Sequence, residues 1–217
     1  MKPLLIFDFD GTLANTLEAG VDAFNEIAPA NGLKTISLSE LRELRKLHTR
    51  ALLDHLGISR LQAVKLGAQI RKQIHGRMDK VDMIEGAREM IEELHAAGFR
   101  MAILSSNSAD NVRTFMERFG LLKCFEFIEA GVSLFGKAHR IKSALKAQGV
   151  DSGDAIYVGD ETRDMEAARK ADVCGVAVCW GANDHEAMMS EGPDYCIETP
   201  ADLIVCAEKF LGNPNIS

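Results

Sequence analysis

Residues 4–13 read LLIFDFDGTL, and this stretch decides the fold. Leu4, Leu5, Ile6 and Phe7 form a short apolar run of branched and aromatic side chains, the signature of a buried strand. Asp8 and Asp10 follow, one residue apart. On a strand, residues i and i+2 point to the same side, so both carboxylates are expected to face together at its C-terminal end. Two carboxylates that close repel unless a cation or a shared proton neutralises them. Gly11 then frees the backbone for a sharp turn away. Taken alone, the pattern also fits an acidic turn, so the other strand ends must decide.

From Gly86 onward the chain alternates. GAREMIEELHAAG reads as a helix stopped by Gly98, RMAILSS as a strand, and DNVRTFMERFG as a helix stopped by Gly120. FEFIEA follows as a short strand, AHRIKSALKAQG as a helix, AIYVG as a strand, TRDMEAARKAD as a helix and CGVAVC as a strand. Strands alternating with helices of about ten residues predict an α/β fold, a Rossmann-like parallel sheet covered by helices on both faces.

Between the first strand and Gly86 the pattern is different. Asn15 with Glu18, Ser37 with Glu40, and Ser59 with Gln62 each have capping-box spacing, and the first helix is expected to end before Gly32. Leu38, Leu41, Leu44 and Leu47 recur at helical spacing, and no strand-like run occurs from 14 to 85. The expected organisation is a core of residues 1–14 and 86–217 with a small all-α insert over 15–85. The tail LGNPNIS reads as a frayed terminus.

The chain has 217 residues, enough to bury a sizeable core. Its net charge of −7 offers no basic footprint, which argues against nucleic acid or an anionic membrane as main partner. Five cysteines without a CxxC pair point to free thiols in a reducing compartment rather than a disulfide framework or a zinc site. An acid as early as Asp8 is out of place in a signal peptide, and no apolar run reaches membrane-spanning length, so a cytoplasmic protein is expected.

In parallel sheets ligands sit beyond the C-terminal strand ends. Those ends carry Asp8 and Asp10, then Ser105-Ser106-Asn107, then Asp160-Glu161 with Asp164, while Lys137 precedes a helix. Carboxylate oxygens suit Mg²⁺, and hydroxyl, amide and ammonium donors suit the oxygens of a phosphate. An aspartate beside Mg²⁺ is able to act as a nucleophile and form an aspartyl-phosphate.

The four stretches FDFDGT, AILSSN, FGK and YVGDETRD resemble, in order and in placement, the four motifs of haloacid dehalogenase-like hydrolases. The helical insert is similar to the cap of the phosphoglycolate-phosphatase and β-phosphoglucomutase branch, and VAVCWG with GPDYCIETPADL leans towards the former. The resemblance implies a Mg²⁺-dependent phosphatase acting on a small phosphorylated metabolite, as a monomer or homodimer. It makes Asp8 the nucleophile and Asp10 the acid and base. Asp8 and Asp160 would hold Mg²⁺ through side chains and Asp10 through its carbonyl, with Asp164 and Glu161 holding those ligands in place. Ser105 and Lys137 would grip the phosphoryl oxygens, helped by Gly11, Thr12, Ser106 and Asn107.

In the insert, Arg45, His48 and Arg50 are candidates for a second anionic group on the substrate, and equally fit a solvated helix face. Arg50 is preferred, on the expectation that a loop there faces the core. Trp180 and Gly181 line the rim or serve packing, and His185 and the cysteines read as structural. A mutase, nucleotidase or pyrophosphatase of the same family stays open. Asp10 argues against a dehalogenase, and the insert and chain length argue against a receiver domain.

Overall fold

The computed structural model describes residues 2–131 and 136–212. Leu4–Phe7 (β1) is buried along its whole length and sits third from one edge of a six-stranded sheet. The other strands are Arg100–Leu104 (β2), Phe127–Glu129 (β3), Ala155–Gly159 (β4), Cys174–Val178 (β5) and Tyr195–Ile197 (β6). Their order is β3-β2-β1-β4-β5-β6, and all five pairings are parallel.

The alternation within β1 explains why both faces need cover. Leu5 and Phe7 join one core cluster with Met90, Ile91 and Leu94 of α5 (Ala87–Ala96), Val112 and Phe115 of α6 (Ala109–Arg118), and Leu203 of the helix Pro200–Gly212. Leu4 and Ile6 point the other way. They pack with Ile141 and Leu145 of α7 (Lys137–Gln148) and Ala167, Ala168 and Ala171 of α8 (Thr162–Ala171). Asp8 continues the Ile6 side by the two-residue repeat, which delivers its carboxylate to the helices α7 and α8.

Between β1 and α5 lie α1 (Leu17–Ile27), α2 (Leu38–Leu44), α3 (Thr49–His55) and α4 (Arg60–His75). They gather a small apolar centre of Phe24, Ala28, Ile58, Ala63 and Leu66. Among the described residues no strand falls in this stretch, only isolated bridges of Ala14 with Asp10 and with Met83. The chain is therefore an α/β parallel sheet with an all-α insert after its first strand.

The capping boxes of α2 and α4 form as expected, from Ser37 with Glu40 and Ser59 with Gln62. The box on Asn15 and Glu18 does not. Thr16 occupies the cap without a side-chain bond, because the Asn15 N–H goes instead to the Asp82 carbonyl across the neck of the insert. α1 ends at Ile27, and a 3₁₀ turn over Pro29–Asn31 carries the chain to Gly32, which adopts φ +71°. α7 starts at Lys137, one residue before the expected helix. The last third also holds α9 (His185–Met189), β6 and α10 (Pro200–Gly212), too short or too weakly patterned to read beforehand. Of the expected frayed tail, residues 213–217 lie outside the described residues, as does Phe135 of the FGK motif.

Candidate active site

Every strand-end group named from the sequence reaches one rim. Asp8 is buried, and its Oδ2 lies 2.6 Å from the Lys137 Nζ; its Oδ1 accepts the Phe9 N–H at 2.8 Å. Lys137 stands at the first position of α7 and is itself buried. Its ammonium also donates to Asp164 Oδ1 at 2.6 Å. Asp164 takes a second bond, from the Glu161 N–H at 3.2 Å, so each of its oxygens holds a partner. The α8 capping box of Glu161 and Asp164 thus aims the acid at Lys137. Glu161 is half-buried and pairs with Arg163.

Asp160 is buried at the end of β4. It accepts from the Thr12 hydroxyl at 3.0 Å and from the Ala182 N–H at 2.7 Å. Thr12 and Asp160 are therefore tied to one another. Two glycines make this approach feasible. A Cβ on Gly11, which adopts φ +76°, would fall 2.1 Å from Asp160 Oδ2; a Cβ on Gly181 would fall 2.3 Å from the same atom. Trp180 closes this corner by donating to the Thr12 carbonyl.

Asp10 and Asp8 do not share partners. The Asn107 amide donates to both carboxylate oxygens of Asp10 at 3.1 Å. Asn107 is fixed in turn: its Oδ1 accepts from the Ser108 N–H and the Asn111 amide, and its N–H donates to the Ser105 hydroxyl at 2.9 Å. Ser105 is fully buried and Ser106 half-buried.

The electrostatics follow from burial. Asp8, Asp160 and Asp164 have carboxylate oxygens within 4.8 Å of one another, and Lys137 is the one ammonium bonded among them in the described residues. Burial, reinforced by Asp164 and Glu161, pushes the Asp8 carboxyl up to about 7 against the pull of Lys137. Burial raises Asp160 well above the carboxylate range, helped by Glu161, Asp8 and Asp164. Asp10 is raised too, chiefly by burial, with Asn107 and Thr16 opposing. Lys137 goes the other way, held charged by Asp164 and Asp8 despite burial. Three carboxylates with one ammonium lack positive charge, and an all-oxygen donor set matches a hard divalent cation.

A cavity of about 360 Å³ opens from this rim into the insert. Asp10, Gly11, Ser106, Asp160 and Glu161 line it on the core side, and Arg45 is the one cation among its described lining residues. Arg45 is half-buried, donates from Nη2 to the Cys179 carbonyl at 3.0 Å, and keeps a buried Nε without a partner among the described residues. The sequence favours Arg50, on the expectation of a loop there, and here the structure differs. Arg50 is the second residue of helix α3, not a loop residue, and lines a separate cavity of about 420 Å³ with His48, Asp54, Arg163 and Glu191.

The sequence does not single out Asn183. Its amide donates to the Arg45 and Leu47 carbonyls, each at 2.9 Å, while its Oδ1 accepts the Thr162 N–H at 3.0 Å. One side chain thus joins the insert to the start of α8. Its only sequence signal is its place in a polar loop after a strand.

Comparison with known proteins adds the family. The model of haloacid dehalogenase-like hydrolases matches residues 5–178. A phosphoglycolate phosphatase of Synechococcus elongatus is 34% identical over 207 residues, covering 95% of this chain and 98% of that protein. A pyrophosphatase PpaX of Halalkalibacterium halodurans is 25% identical, over 92% and 94% of the two chains. Among solved structures, a predicted phosphatase from Clostridium acetobutylicum superposes with a TM-score of 0.79 at 21% identity, covering 98% of this chain and 99% of that one. CbbY from Rhodobacter sphaeroides, in complex with phosphate, gives 0.69 at 24% identity, over 94% and 96%. Those two likenesses speak to the fold. With the family model spanning most of the chain, this protein belongs to the haloacid dehalogenase-like hydrolases.

Proposed function

We propose that the chain hydrolyses a small phosphomonoester through an aspartyl-phosphate on Asp8, and that 2-phosphoglycolate is the substrate class to which it is best suited. The observation that carries this reading is the buried Asp8–Lys137–Asp164 chain, with Asp10 held separately by Asn107. It supplies a nucleophile, a cation beside it and an independent acid. The phosphoglycolate phosphatase similar to this chain over nearly its whole length supports the substrate class.

Asp8 attacks phosphorus, the bond to the leaving oxygen breaks, and Asp10 gives that oxygen its proton. Asp10 then takes a proton from a water that attacks the aspartyl-phosphate, releasing phosphate and restoring Asp8. Its raised pKa favours the protonated form needed in the first step. Lys137 and the Ser105 hydroxyl would meet the phosphoryl oxygens, and backbone groups around Ser106 would add donors. Asp164, with both oxygens engaged, orients Lys137. The Asp8 and Asp160 side chains with the Asp10 carbonyl are the groups to hold Mg²⁺, supported by Glu161 and Asp164. When bound, Mg²⁺ would offset the repulsion between a phosphate dianion and the nucleophile.

Residues 15–85 would act as a cap over the core of 1–14 and 86–217, excluding water and choosing the leaving group. Arg45, which lines the same cavity as Asp10 and Asp160, would meet a carboxylate on that group, whereas Arg50 lines the neighbouring cavity. Phosphate release from a panel of monoesters, with and without Mg²⁺, tests the proposal. The expected result is Mg²⁺-dependent release with 2-phosphoglycolate among the best substrates. Higher kcat/KM for pyrophosphate or a sugar bisphosphate would reassign the substrate, and full activity in excess chelator would end the metal assignment.

A further inference from the structure

A second convergence of ligand-type side chains lies at the edge of the sheet, away from the carboxylates. Cys179 follows the last residue of β5, and Cys196 is the middle residue of β6. The register sets Ala177 beside Cys196 and Val178 beside Ile197. Residues two apart on a strand share a face, so Cys179 and Cys196 emerge together. Their Sγ atoms are 2.9 Å apart. α9 begins at His185, whose Nδ1 lies 3.7 Å from the Cys179 Sγ and 3.6 Å from the Cys196 Sγ. The same nitrogen is 2.7 Å from Glu198 Oε1.

We propose that Cys179, Cys196 and His185, completed by Glu198, form a site for one thiophilic cation of the zinc(II) type. The distances favour a ligand set. Tetrahedral zinc with sulfur at about 2.3 Å and nitrogen at about 2.1 Å holds those two atoms roughly 3.6 Å apart. The two S···N separations here match that spacing. The sulfurs need to open to roughly 3.8 Å, a shift of under about 1 Å. Cys196 has room for it, being half-buried on an edge strand.

Two other uses of the same residues fit less well. A thiol–imidazole–acid relay needs the thiol and the acid on opposite ring nitrogens, so that one accepts and the other donates. Here both thiols and the carboxylate converge on Nδ1. A disulfide would close the sulfurs to about 2.0 Å and make no use of the His185 nitrogen that faces both of them. A metal uses all three groups, since a coordinating thiol gives up its proton. On binding, two S–H protons leave for solvent, two metal–sulfur bonds form, and His185 donates its Nδ1 lone pair with the ring proton on Nε2. Glu198 exchanges its bond to Nδ1 for the fourth coordination position.

Sulfur and nitrogen ligands also separate this site from the all-oxygen rim, which suits a hard ion. Its place gives it a mechanical role. Cys179 presents its carbonyl to Arg45, and the loop that follows carries the Ala182 N–H to Asp160. An ion here would clamp β5, β6 and α9 beneath that loop.

The test is titration of the fully reduced protein with Co²⁺, in saturating Mg²⁺ so that the carboxylate rim is occupied. The expected result is one equivalent of Co²⁺ with tetrahedral absorption and a thiolate-to-cobalt charge-transfer band, both displaced by one equivalent of Zn²⁺. Cys196→Ser should remove the charge-transfer intensity of one thiolate. His185→Ala, which leaves both thiols and alters an exposed residue, should weaken binding by at least about tenfold. Reduced protein without a thiolate band overturns the site, as does a band that both variants retain unchanged. Formation of a Cys179–Cys196 disulfide in the presence of equimolar Zn²⁺ would overturn it in favour of a redox pair.

Discussion

The carboxylate rim and the helical insert are built by opposite means. On the rim, Asp8, Lys137, Asp160 and Asp164 are all buried, and each is fixed by at least two hydrogen bonds or ion pairs. The insert packs around a small apolar centre of its own and meets the core both through Ala23, Ile74 and Met78, which join the main apolar cluster, and through polar bonds. Asn183 reaches the Arg45 and Leu47 carbonyls, Arg45 reaches Cys179, and Asp184 donates its N–H to the Arg45 carbonyl at 3.1 Å. A rim of mutually fixed charges suits chemistry that tolerates little displacement, whereas an insert that carries none of those fixed carboxylates can vary its lining with the leaving group. Substitutions on the rim should therefore cost turnover, and those on the insert should cost selectivity.

The largest effect is expected from Asp8→Asn. An amide cannot attack phosphorus, so kcat should fall by roughly 10⁴-fold or more, while circular dichroism stays that of the folded protein. Asp10→Asn should be nearly as severe for alkyl phosphates but milder for aryl phosphates, whose leaving oxygen hardly needs a proton. Equal losses on both substrate types would count against Asp10 as the acid.

Metal removal comes next. Excess chelator should abolish turnover and Mg²⁺ restore it, while Ca²⁺, which prefers more ligands at longer distance, should bind and support little activity. Asp160→Asn should raise the Mg²⁺ concentration needed for half-maximal rate, and an unchanged requirement would remove Asp160 from the ligand set.

These rim residues were legible in the sequence because strand periodicity and strand-end position constrain them. Asp8, Ser105 and Asp160 each follow an apolar run whose direction is set by burial on both faces of a parallel sheet, and Asp164 lies one helical turn beyond Asp160. The insert lacks such a constraint. Arg45 and Arg50 sit five residues apart in one charged stretch, and the sequence does not show that α2 ends at Leu44 or that α3 restarts at Thr49. Those two breaks put Arg45 in the lining of the cavity that Asp10 and Asp160 also line, and Arg50 in the neighbouring one. Asn183 was hidden for a related reason, since its partners are backbone carbonyls of a distant helix end.

Smaller effects follow from this. Arg45→Ala should raise KM for carboxylated substrates by about tenfold, in line with a charge-assisted hydrogen bond, with little change for an uncharged aryl phosphate. Arg50→Ala should change neither by more than about twofold. A larger shift for Arg50→Ala than for Arg45→Ala would reverse their assignment.

The smallest expected effect is on stability. Asp8 in the folded chain keeps its proton up to about 7, whereas unfolded it ionises in the ordinary carboxylate range. The folded state thus binds more protons between about pH 4 and 7, and metal-free stability should fall as pH rises through that window. Mg²⁺ should stabilise the fold more at the upper end than at the lower. Thermal melts at several pH values with and without Mg²⁺ check the sign, and metal-free stability that rises with pH would contradict it.

The central claim is that Asp8 carries the phosphoryl group, and trapping tests it most directly. The protein is mixed with substrate and Mg²⁺, quenched rapidly, reduced with borohydride and digested, and the peptide containing residues 4–13 is weighed by mass spectrometry. An aspartyl-phosphate is reduced to homoserine, so the account predicts homoserine at position 8, dependent on Mg²⁺ and enriched in Asp10→Asn. Homoserine at another position, or none at position 8 when a pre-steady-state burst shows that an intermediate accumulates, would contradict it.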